Sequence, residues 1–374
     1  MPGYSEKSKT NFMMNNYKSL TLNSKYYAPE VLPDLCRKKF LNNSVPVWER
    51  NVFDFIREWL NDEDFINIKT SGSTGKPRTL SLKKAWMAYS AEKTCDFFRL
   101  NNKSTALLCL PASFIAGRMM IVRAFVSGCN LILKEPSGRP FKDLPISIDF
   151  AAITPFQLYQ SLEDLGSGSP VKTLIVGGGE ISHVLERDIQ KLPVEIHATY
   201  GMTETSSHIA LRKVNGRERS DFYTVLGETK ISVDENSCLV IENPQLFDGV
   251  LKTNDVVEIV NNRQFRWKGR YDNIINSGGI KIQPEELENS ISQIISVNFA
   301  ISSIQDERLG EGVALVLERE GIAPEEENKL IDEIRKIVHH YSLPVRVFCI
   351  PVFPKTPTGK INRPELRRII NKIR

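Results

Sequence analysis

Thr70-Ser-Gly-Ser-Thr-Gly-Lys-Pro-Arg78 is the most informative stretch of this chain. It combines glycines that let the backbone approach a ligand, hydroxyl donors, and the fixed charges of Lys76 and Arg78. This chemistry is typical of a loop that binds a polyphosphate. A Walker A loop is excluded, because that motif requires Gly at the position of Thr70 and Ser or Thr at the position of Pro77. Taken alone, the stretch is also compatible with an exposed Ser/Gly turn.

Composition bounds the class of protein. A chain of 374 residues predicts two or three domains, and 41% hydrophobic with 25% charged residues is ordinary for a globular protein. No apolar run is long enough for a membrane span, and the N-terminus has no signal-peptide pattern, so we expect no stable membrane insertion. A net charge of +4 without a basic stripe argues against a nucleic-acid partner. Six scattered cysteines predict reduced thiols in a cytoplasmic protein.

The order of short apolar runs predicts an α/β fold. We expect residues 1–25 to form a disordered tail, because they are polar and rich in Asn, Ser and Lys. Beyond them, β-branched or Leu-rich runs alternate with helical patterns, which predicts a mainly parallel sheet buried on both faces. The predicted strands of this part are Thr105–Leu110, Asn130–Leu133, Val171–Val176 and Val194–Thr199. After about residue 225, closely spaced strands predict a small antiparallel part.

The pattern changes again at Gly269-Arg-Tyr-Asp272. The following segment of about 100 residues predicts a small α+β domain in the order helix, two strands, helix, strand, helix. Pro284-Glu-Glu opens its first helix, and an apolar stripe from Leu330 to Tyr341 marks the second. We therefore expect an N-terminal domain over 26–269 and a C-terminal domain over 274–374.

Four further motifs carry candidate chemistry. Gly177-Gly-Gly-Glu180 and Thr199-Tyr-Gly-Met-Thr-Glu-Thr205 each follow a predicted strand, where the edge of a parallel sheet binds ligands. Thr253-Asn-Asp255 is an acidic turn suited to ribose hydroxyls, and Pro354-Lys-Thr-Pro-Thr-Gly-Lys360 ends in a lysine on a stiff loop. Each motif alone is also explained as a turn with surface charge.

In this order, the five motifs resemble the adenylate-forming superfamily of acyl-CoA synthetases, peptide-synthetase adenylation domains and luciferases. The resemblance covers about residues 65–365. It implies that ATP and Mg²⁺ are used to convert a carboxylic acid into an acyl-AMP with release of pyrophosphate. It further implies transfer of the acyl group to the thiol of coenzyme A.

The resemblance also implies residue roles. The β- and γ-phosphates would be bound by Thr70, Ser71, Gly72, Ser73, Thr74, Gly75 and Lys76. The nucleotide would be bound by Gly178, Gly179, Glu180, Tyr200, Gly201, Met202, Asp255 and Arg270, with Tyr200 against adenine and the last two on the ribose. Three catalytic residues are implied: Thr203 on the α-phosphate, Glu204 on Mg²⁺, and Lys360 bridging the α-phosphate and the acid.

In the family, the C-terminal domain swings about a hinge, here residues 270–273 with Asp272 at its centre. One pose presents Lys360 for adenylation, and the other presents the glycine-containing segment after the hinge to the pantetheine arm of coenzyme A. The residues that this implies for coenzyme A are Ser277, Gly278, Gly279 and Lys281.

The stretch from Tyr200 to His208 is most similar to o-succinylbenzoate–CoA ligases, the family that acts in menaquinone biosynthesis. Two departures are Phe114, where many relatives carry His, and His208, where Gln is frequent. The phosphate loop also begins early, which predicts a short form of the ligase that lacks part of the N-terminal region. The second carboxylate of this acid needs a cation or several donors. The acyl-site candidates are Ser113, Arg118, Ser207 and His208.

Several alternatives stay open at this stage. Arg118 is equally well explained as an ordinary surface arginine. The chain could be another acyl- or aryl-CoA ligase, which activates a different acid. It could also be a stand-alone adenylation enzyme that loads a carrier protein. A degenerate binding module is disfavoured, because Lys76, Glu204, Asp255 and Lys360 are all present. A small carboxylic acid is the expected partner, and the oligomeric state is open, with a homodimer as one option.

Overall fold

Residues 17–70, 78–356 and 361–373 are described by a computed structural model. The predicted phosphate-loop residues Ser71–Lys76 and the predicted catalytic Lys360 lie outside these ranges. The chain divides into two compact units. The first lies within Met1–Gly178, Lys191–Lys230 and Glu242–Val250, and the second within Gly179–Gln190, Ile231–Ile241 and Leu251–Arg374.

The first unit contains five helices and eleven strands among the described residues. The helices are α1 Leu32–Leu41, α2 Val47–Leu60, α3 Lys84–Phe98, α4 Ile115–Ser127 and α5 Pro155–Gln160. The strands are β1 Leu20–Leu22, β2 Lys25–Tyr27, β3 Phe65–Thr70, β4 Arg78–Lys83, β5 Thr105–Leu108, β6 Asn130–Leu133, β7 Ile148–Ile153, β8 Val171–Val176, β9 Glu195–Gly201, β10 His208–Lys213 and β11 Tyr223–Val225.

Nine of these strands form the sheet of the first unit, in the order β11-β10-β9-β8-β7-β5-β6-β1-β2. Every neighbouring pair from β9 to β1 is parallel, whereas β9–β10, β10–β11 and β1–β2 are antiparallel. β3 and β4 form a separate antiparallel hairpin whose last registered pair is Thr70 with Arg78. The predicted mainly parallel α/β fold is confirmed.

The central strand β7 of this sheet is buried on both faces, as continuous apolar strands predict. Four consecutive residues of β7 are buried, and every residue of α4 from Met119 to Phe125 is buried as well. A helix that is apolar all round belongs in the interior of a protein. Any polar side chain on α4 must therefore find its partners inside the protein or in a ligand.

The prediction of a disordered tail over 1–25 is wrong for its last part. Residues 1–16 lie outside the described ranges, but Leu20–Leu22 forms β1, which pairs in parallel with β6. Leu20 and Leu22 are 1% and 3% exposed, so alternate residues of this short strand enter the core. The polar composition of the segment concealed this two-residue period.

Among the described residues, the second unit contains four helices and all or most of each of nine strands. The helices are α6 His183–Asp188, α7 Pro284–Ile291, α8 Pro324–Arg335 and α9 Arg363–Ile373. The strands are β12 Lys230–Val233, β13 Cys238–Glu242, β14 Val250–Asn261, β15 Gln264–Arg270, β16 Ile275–Ser277, β17 Ile280–Ile282, β18 Phe299–Asp306, β19 Gly310–Glu318 and β20 Arg346–Ile350.

β12 to β15 are neighbours in chain order, as the predicted antiparallel part requires. The C-terminal sheet is built on β19, which pairs with β18 and β16 antiparallel and with β20 in parallel. Alternate residues of β19 enter two cores, one with α7 and α8 and the other with α9. The predicted element order is confirmed, although the hairpin β16–β17 ahead of the first helix was not predicted.

The predicted stripe of α8 is wrong at its C-terminal end. Ile334 is fully buried, but Ile337 and Tyr341 are 48% and 53% exposed, because the helix ends at Arg335. Within the described ranges, none of the helices combines the length and the apolar character that crossing a bilayer requires.

Ion pairing between the half-buried Arg363 and two buried glutamates joins α9 to α7 in the C-terminal part. The Arg363 guanidinium forms two hydrogen bonds of 2.9 and 2.8 Å with the two carboxylate oxygens of Glu288. Glu285 lies 3.6 Å from Arg363 Nε and accepts further bonds from Asn273 and Gln283. Removing one member of such an ion pair is costly, because the remaining charge is left uncompensated.

Replacing Arg363 by Met should therefore lower the free energy of unfolding by about 3–5 kcal/mol. Arg335→Met removes an exposed helix pair with Asp332 and should cost less than about 1 kcal/mol. Urea titration of both variants measures the difference. Equal losses in the two variants would show that the Arg363 pair is not a buried structural contact.

Candidate active site

The loop between β9 and β10 carries the two predicted catalytic residues of the first unit. Thr203–Thr205 form one turn of 3-10 helix, with Thr203 half-buried and Glu204 exposed. The fully buried Thr205 hydroxyl accepts the amide of Met202 at 3.0 Å and lies 2.6 Å from the carbonyl of Ser207. Thr205, to which no role was predicted, thus fixes the loop that presents Thr203 and Glu204.

Gly201 ends β9 where the loop returns against it. A Cβ at this position would lie 2.4 Å from the Cα of His208 and 2.4 Å from the carbonyl oxygen of Ser207. Only glycine fits such an approach without moving backbone. The half-buried Tyr200, predicted to stack on adenine, has its ring edge against Tyr223, with 5.8 Å between the centroids.

Gly178, Gly179 and Glu180 lie in the turn between β8 and α6, as predicted. Ser182 caps α6 by accepting the amide of Leu185 at 3.3 Å. Glu180 is exposed.

The predicted ribose residues meet in the second unit. Asp255 on β14 and Arg270 on β15 are cross-strand partners, with 3.7 Å between Arg270 Nη1 and Asp255 Oδ1. The Trp267 indole donates to the same oxygen at 3.3 Å. Arg270 also pairs at 3.1 Å with Asp272, the predicted hinge residue, which accepts from Asn254 as well. The fold therefore brings the predicted ribose carboxylate and the predicted hinge into one polar cluster.

The predicted coenzyme A segment forms the turn of the hairpin β16–β17. Ser277 is buried, whereas Gly278 and Gly279 occupy the turn and are exposed. The amide of Gly278 donates to the Leu309 carbonyl at 2.9 Å. The Lys281 ammonium lies 5.8 Å from the centroid of the Tyr271 ring, which brings it back towards the predicted hinge.

Glu204 offers a single exposed carboxylate, which is compatible with magnesium. Within the described ranges no three His, Cys, Asp or Glu side chains cluster as a metal site. Mg²⁺ is usually bound by one or two carboxylates together with substrate phosphates. One exposed carboxylate on a loop that precedes a buried strand is compatible with that donor set.

Arg118, the first candidate for the acid anchor, has several protein partners. Its guanidinium donates to the carbonyls of Ala112 and Asn67 at 3.0 and 3.2 Å and pairs with Glu58 at 3.3 Å. It also lies 5.1 Å from the centroid of the Phe55 ring. These contacts join α4 to α2 and β3, which favours a structural role. Ser113, in the same segment, is exposed.

Ser207 and His208, the other acyl-site candidates, contact a different arginine, Arg123 of α4. Its Nη2 donates to Ser207 Oγ at 3.1 Å and lies 3.5 Å from His208 Nδ1. Arg123 is only 2% exposed, and its Nε has no hydrogen-bond partner within the described ranges. Burial lowers the pKa of Arg123 to about 10, so the group stays charged at neutral pH.

No carboxylate pairs with Arg123 in the part of the chain that the structure describes. Arg363, by contrast, is held between Glu285 and Glu288. A buried cation without a counter-ion is costly and therefore suggests a ligand site. Sequence reasoning missed Arg123, although a single charge within Met119-Met-Ile-Val-Arg-Ala-Phe125 was a usable signal.

Comparison with known proteins gives a consistent result. A model of the family described as AMP-binding enzyme matches residues 36–238, more than half of the chain. A curated 2-succinylbenzoate–CoA ligase from Haemophilus influenzae is 25% identical, over 79% of this chain and 69% of that protein.

Two solved structures extend the comparison. A Dyadobacter fermentans protein described as acyl-CoA synthetase (AMP-forming)/AMP-acid ligase II-like is 32% identical, with a TM-score of 0.60, over 90% of this chain and 98% of that one. An o-succinylbenzoate coenzyme A synthetase from Bacillus subtilis, solved with ATP and magnesium, has a TM-score of 0.65 at 18% identity, over 83% of this chain and 74% of that one. The second likeness concerns the fold alone.

Two buried histidines make stability depend on pH. Burial, followed by the nearby charge of Arg123, lowers the pKa of His208 well below 6.5, and burial also lowers that of His197. The unfolded chain therefore binds more protons once the pH falls below about 6.5. Unfolding free energy should therefore fall below that point, by at most about 1.4 kcal/mol per pH unit for each group.

Urea titrations at pH 7.0 and 5.5 measure this loss. His208→Gln should lose less than the wild type, whereas the surface variant His339→Gln should behave as the wild type does. An NMR titration in which His208 takes up a proton near its ordinary pKa would contradict the assignment, even if the variant folds poorly.

Proposed function

This chain belongs to the AMP-binding enzyme family and is an AMP-forming acid–CoA ligase, and we propose that the acid it activates is o-succinylbenzoate, for menaquinone biosynthesis. The proposal is supported by the Haemophilus relative and by the chemistry of the buried residues around Arg123. o-Succinylbenzoate has two carboxylates, of which only the succinyl one is activated. The ring carboxylate must be desolvated on binding and needs a cation.

One observation carries the proposal: Arg123 is a buried guanidinium that contacts Ser207 and His208 and has no carboxylate partner within the described ranges. A ring carboxylate would neutralise this cation. The guanidinium and the ring carboxylate each lose hydration when they are buried, and their pairing offsets this desolvation cost. The Ser207 hydroxyl accepts from Arg123 and can donate its own proton to the same carboxylate.

The reaction has two steps. An oxygen of the succinyl carboxylate attacks the α-phosphorus of ATP, and the bond from that phosphorus to the β-phosphate oxygen breaks, releasing pyrophosphate. The sulfur of coenzyme A then attacks the acyl carbon of the acyl-AMP. The bond between this carbon and the AMP oxygen breaks, so that AMP leaves and the thiol proton is lost to solvent.

The first step joins two anions, so its barrier is largely electrostatic. We assign the phosphates to Thr70–Lys76 and the α-phosphate to Thr203 and Lys360. Glu204 would hold Mg²⁺, whose charge when bound offsets that of the phosphates. Asp255 would accept both ribose hydroxyls, since its carboxylate is already oriented by Trp267 and Arg270. Removing one such electrostatic group typically costs on the order of 10²–10³ in rate.

The substrate is tested with a panel of acids. Formation of the CoA thioester is measured with o-succinylbenzoate, benzoate and a medium-chain fatty acid, under one set of ATP, Mg²⁺ and coenzyme A concentrations. We expect the highest kcat/KM for o-succinylbenzoate. If an acid with a single carboxylate is preferred, the substrate proposal is wrong, while the family assignment is unaffected.

Arg123→Leu should raise the KM for o-succinylbenzoate by about 10–100-fold, because a charge-assisted contact worth about 1.5–3 kcal/mol is lost. The KM values for benzoate and ATP should hardly change. The melting temperature should change little, because removal of a buried, uncompensated charge offsets the loss of its hydrogen bonds to Ser207 and His208.

Arg118→Leu is the matched comparison on the same helix. It removes the contacts to Glu58, Ala112 and Asn67, so it should lower the melting temperature and leave acid selectivity unchanged. The reverse result, with selectivity lost in Arg118→Leu and kept in Arg123→Leu, would make Arg118 the anchor.

Lys360→Ala should abolish adenylate formation and largely spare thioester formation from supplied acyl-AMP, because the lysine belongs to one of two poses. Pyrophosphate release and thioester yield are assayed separately. Lys355→Ala, in the same Pro/Gly-rich stretch, serves as the control. Equal loss of both half-reactions in Lys360→Ala would count against the two-pose assignment.

A further inference from the structure

Four side chains form a buried polar group inside the first unit: Thr94 of α3, Arg123 of α4, and Ser207 and His208 at the start of β10. We call them the His208 cluster. Thr94, Arg123 and His208 are 0%, 2% and 7% exposed, so water cannot substitute freely for a lost partner. The position of the ring proton of His208 therefore has consequences for every neighbour.

The Nδ1 side of the ring faces the Arg123 guanidinium. Arg123 Nη2 lies 3.5 Å from His208 Nδ1, and the Ser207 hydroxyl, which can donate or accept, lies 3.4 Å from the same atom. A guanidinium has only hydrogens to offer and does not deprotonate in proteins. A proton on Nδ1 would place it against the hydrogens of Arg123, so the guanidinium favours Nδ1 as the acceptor.

The Nε2 side gives the same answer independently. Thr94 Oγ1 lies 3.2 Å from His208 Nε2. The single hydroxyl hydrogen of Thr94 is donated to the carbonyl of Ser90, one helical turn earlier, at 3.0 Å. The Thr94 oxygen can therefore only accept from the ring, which requires the proton on Nε2.

The ring is also neutral. Arg123 and His197 are the charged or titratable groups that act on it, and both disfavour a second proton. A neutral imidazole has one donor and one acceptor, and the tautomer is set by the hydrogen bond that the other nitrogen makes. In this cluster that bond is the one to Thr94.

We propose that Thr94 is a positioning residue for acid recognition: by accepting the Nε2 proton of His208, it turns the Nδ1 lone pair towards Arg123 and holds the guanidinium beside Ser207. This inference rests on the proposed role of Arg123. The Nη2 atom of Arg123 is then occupied by Ser207 and His208. Its Nε atom, which has no partner within the described ranges, is left for a ligand oxygen.

The inference explains why a hydroxyl is needed at position 94 itself, one helical turn after the buried Ser90. Met87, Ala88 and Ala91 are also buried on this helix. Valine would fill the space of Thr94 but would offer no acceptor. The ring proton would then shift to Nδ1, where it would repel the hydrogens of Arg123.

The first arm of the test reads the tautomer directly. In protein with ¹⁵N-labelled histidine, the protonated ring nitrogen of His208 is identified by NMR in the wild type, Thr94→Val and Thr94→Ser. We expect the proton on Nε2 in the wild type and in Thr94→Ser, and loss of this single tautomer in Thr94→Val. A wild-type proton on Nδ1 would overturn the proposal.

The second arm reads selectivity. Thr94→Val should raise the KM for o-succinylbenzoate by about 10-fold relative to that for benzoate, as loss of roughly one hydrogen bond implies. Thr94→Ser should restore the wild-type ratio. Thr229→Val removes another buried hydroxyl, which accepts from Asn243 at 3.0 Å, and reports the general cost of such a change.

The outcomes separate the two proposals. A tautomer change in Thr94→Val without a change in the KM ratio would overturn the positioning role, as would equal ratios in Thr94→Val and Thr229→Val. If the wild type itself shows no preference for a second carboxylate, the substrate proposal fails. The NMR arm then still decides whether Thr94 sets the tautomer of His208.

Discussion

The parallel sheet of the first unit is buried on both faces, and this constraint determines what its covering helices can contain. α4 is buried from Met119 to Phe125, and α3 has a buried face that includes Thr94, so a polar residue at these positions is costly unless a neighbour or a ligand satisfies it. Arg123 and Thr94 are two such residues, and both contact His208. Buried polar side chains of the two helices therefore meet at the start of β10, directly after the loop that carries Thr203 and Glu204.

The buried Arg123 and the half-buried Arg363 show how the environment separates structure from recognition. Arg363 lies between Glu285 and Glu288, so its charge is neutralised by the protein and contributes to folding. Arg123 has neutral neighbours, Ser207 and His208, which orient the guanidinium but leave its charge uncompensated. A site that binds an anionic ligand needs such a cation with neutral neighbours. If a carboxylate of the protein already neutralised the cation, an anionic ligand would gain little from binding there.

Much of the fold could be predicted, and the failures have physical reasons. Continuous apolar strands alternating with helical patterns predicted the α/β class, because a strand buried on both faces needs no polar alternation. The short strand Leu20–Leu22 was missed because its two leucines lie in a polar segment. The hairpin Ile275–Ile282 was missed because each of its strands has three residues, too few for a period to be recognised. Ile337 and Tyr341 continued an apolar stripe beyond the last residue of α8.

The sequence by itself determined the reaction class, because the chemistry of phosphate, ribose and carboxylate binding lies in short contiguous motifs whose order is informative. It also named Ser207 and His208 as candidates for the acid site. Only the tertiary structure showed that the buried Arg123 contacts both of them. Thr94, Arg123 and His208 are far apart in the chain and meet through the packing of α3 and α4 on the sheet. Their roles follow from burial and from the direction of hydrogen bonds, which sequence position does not specify.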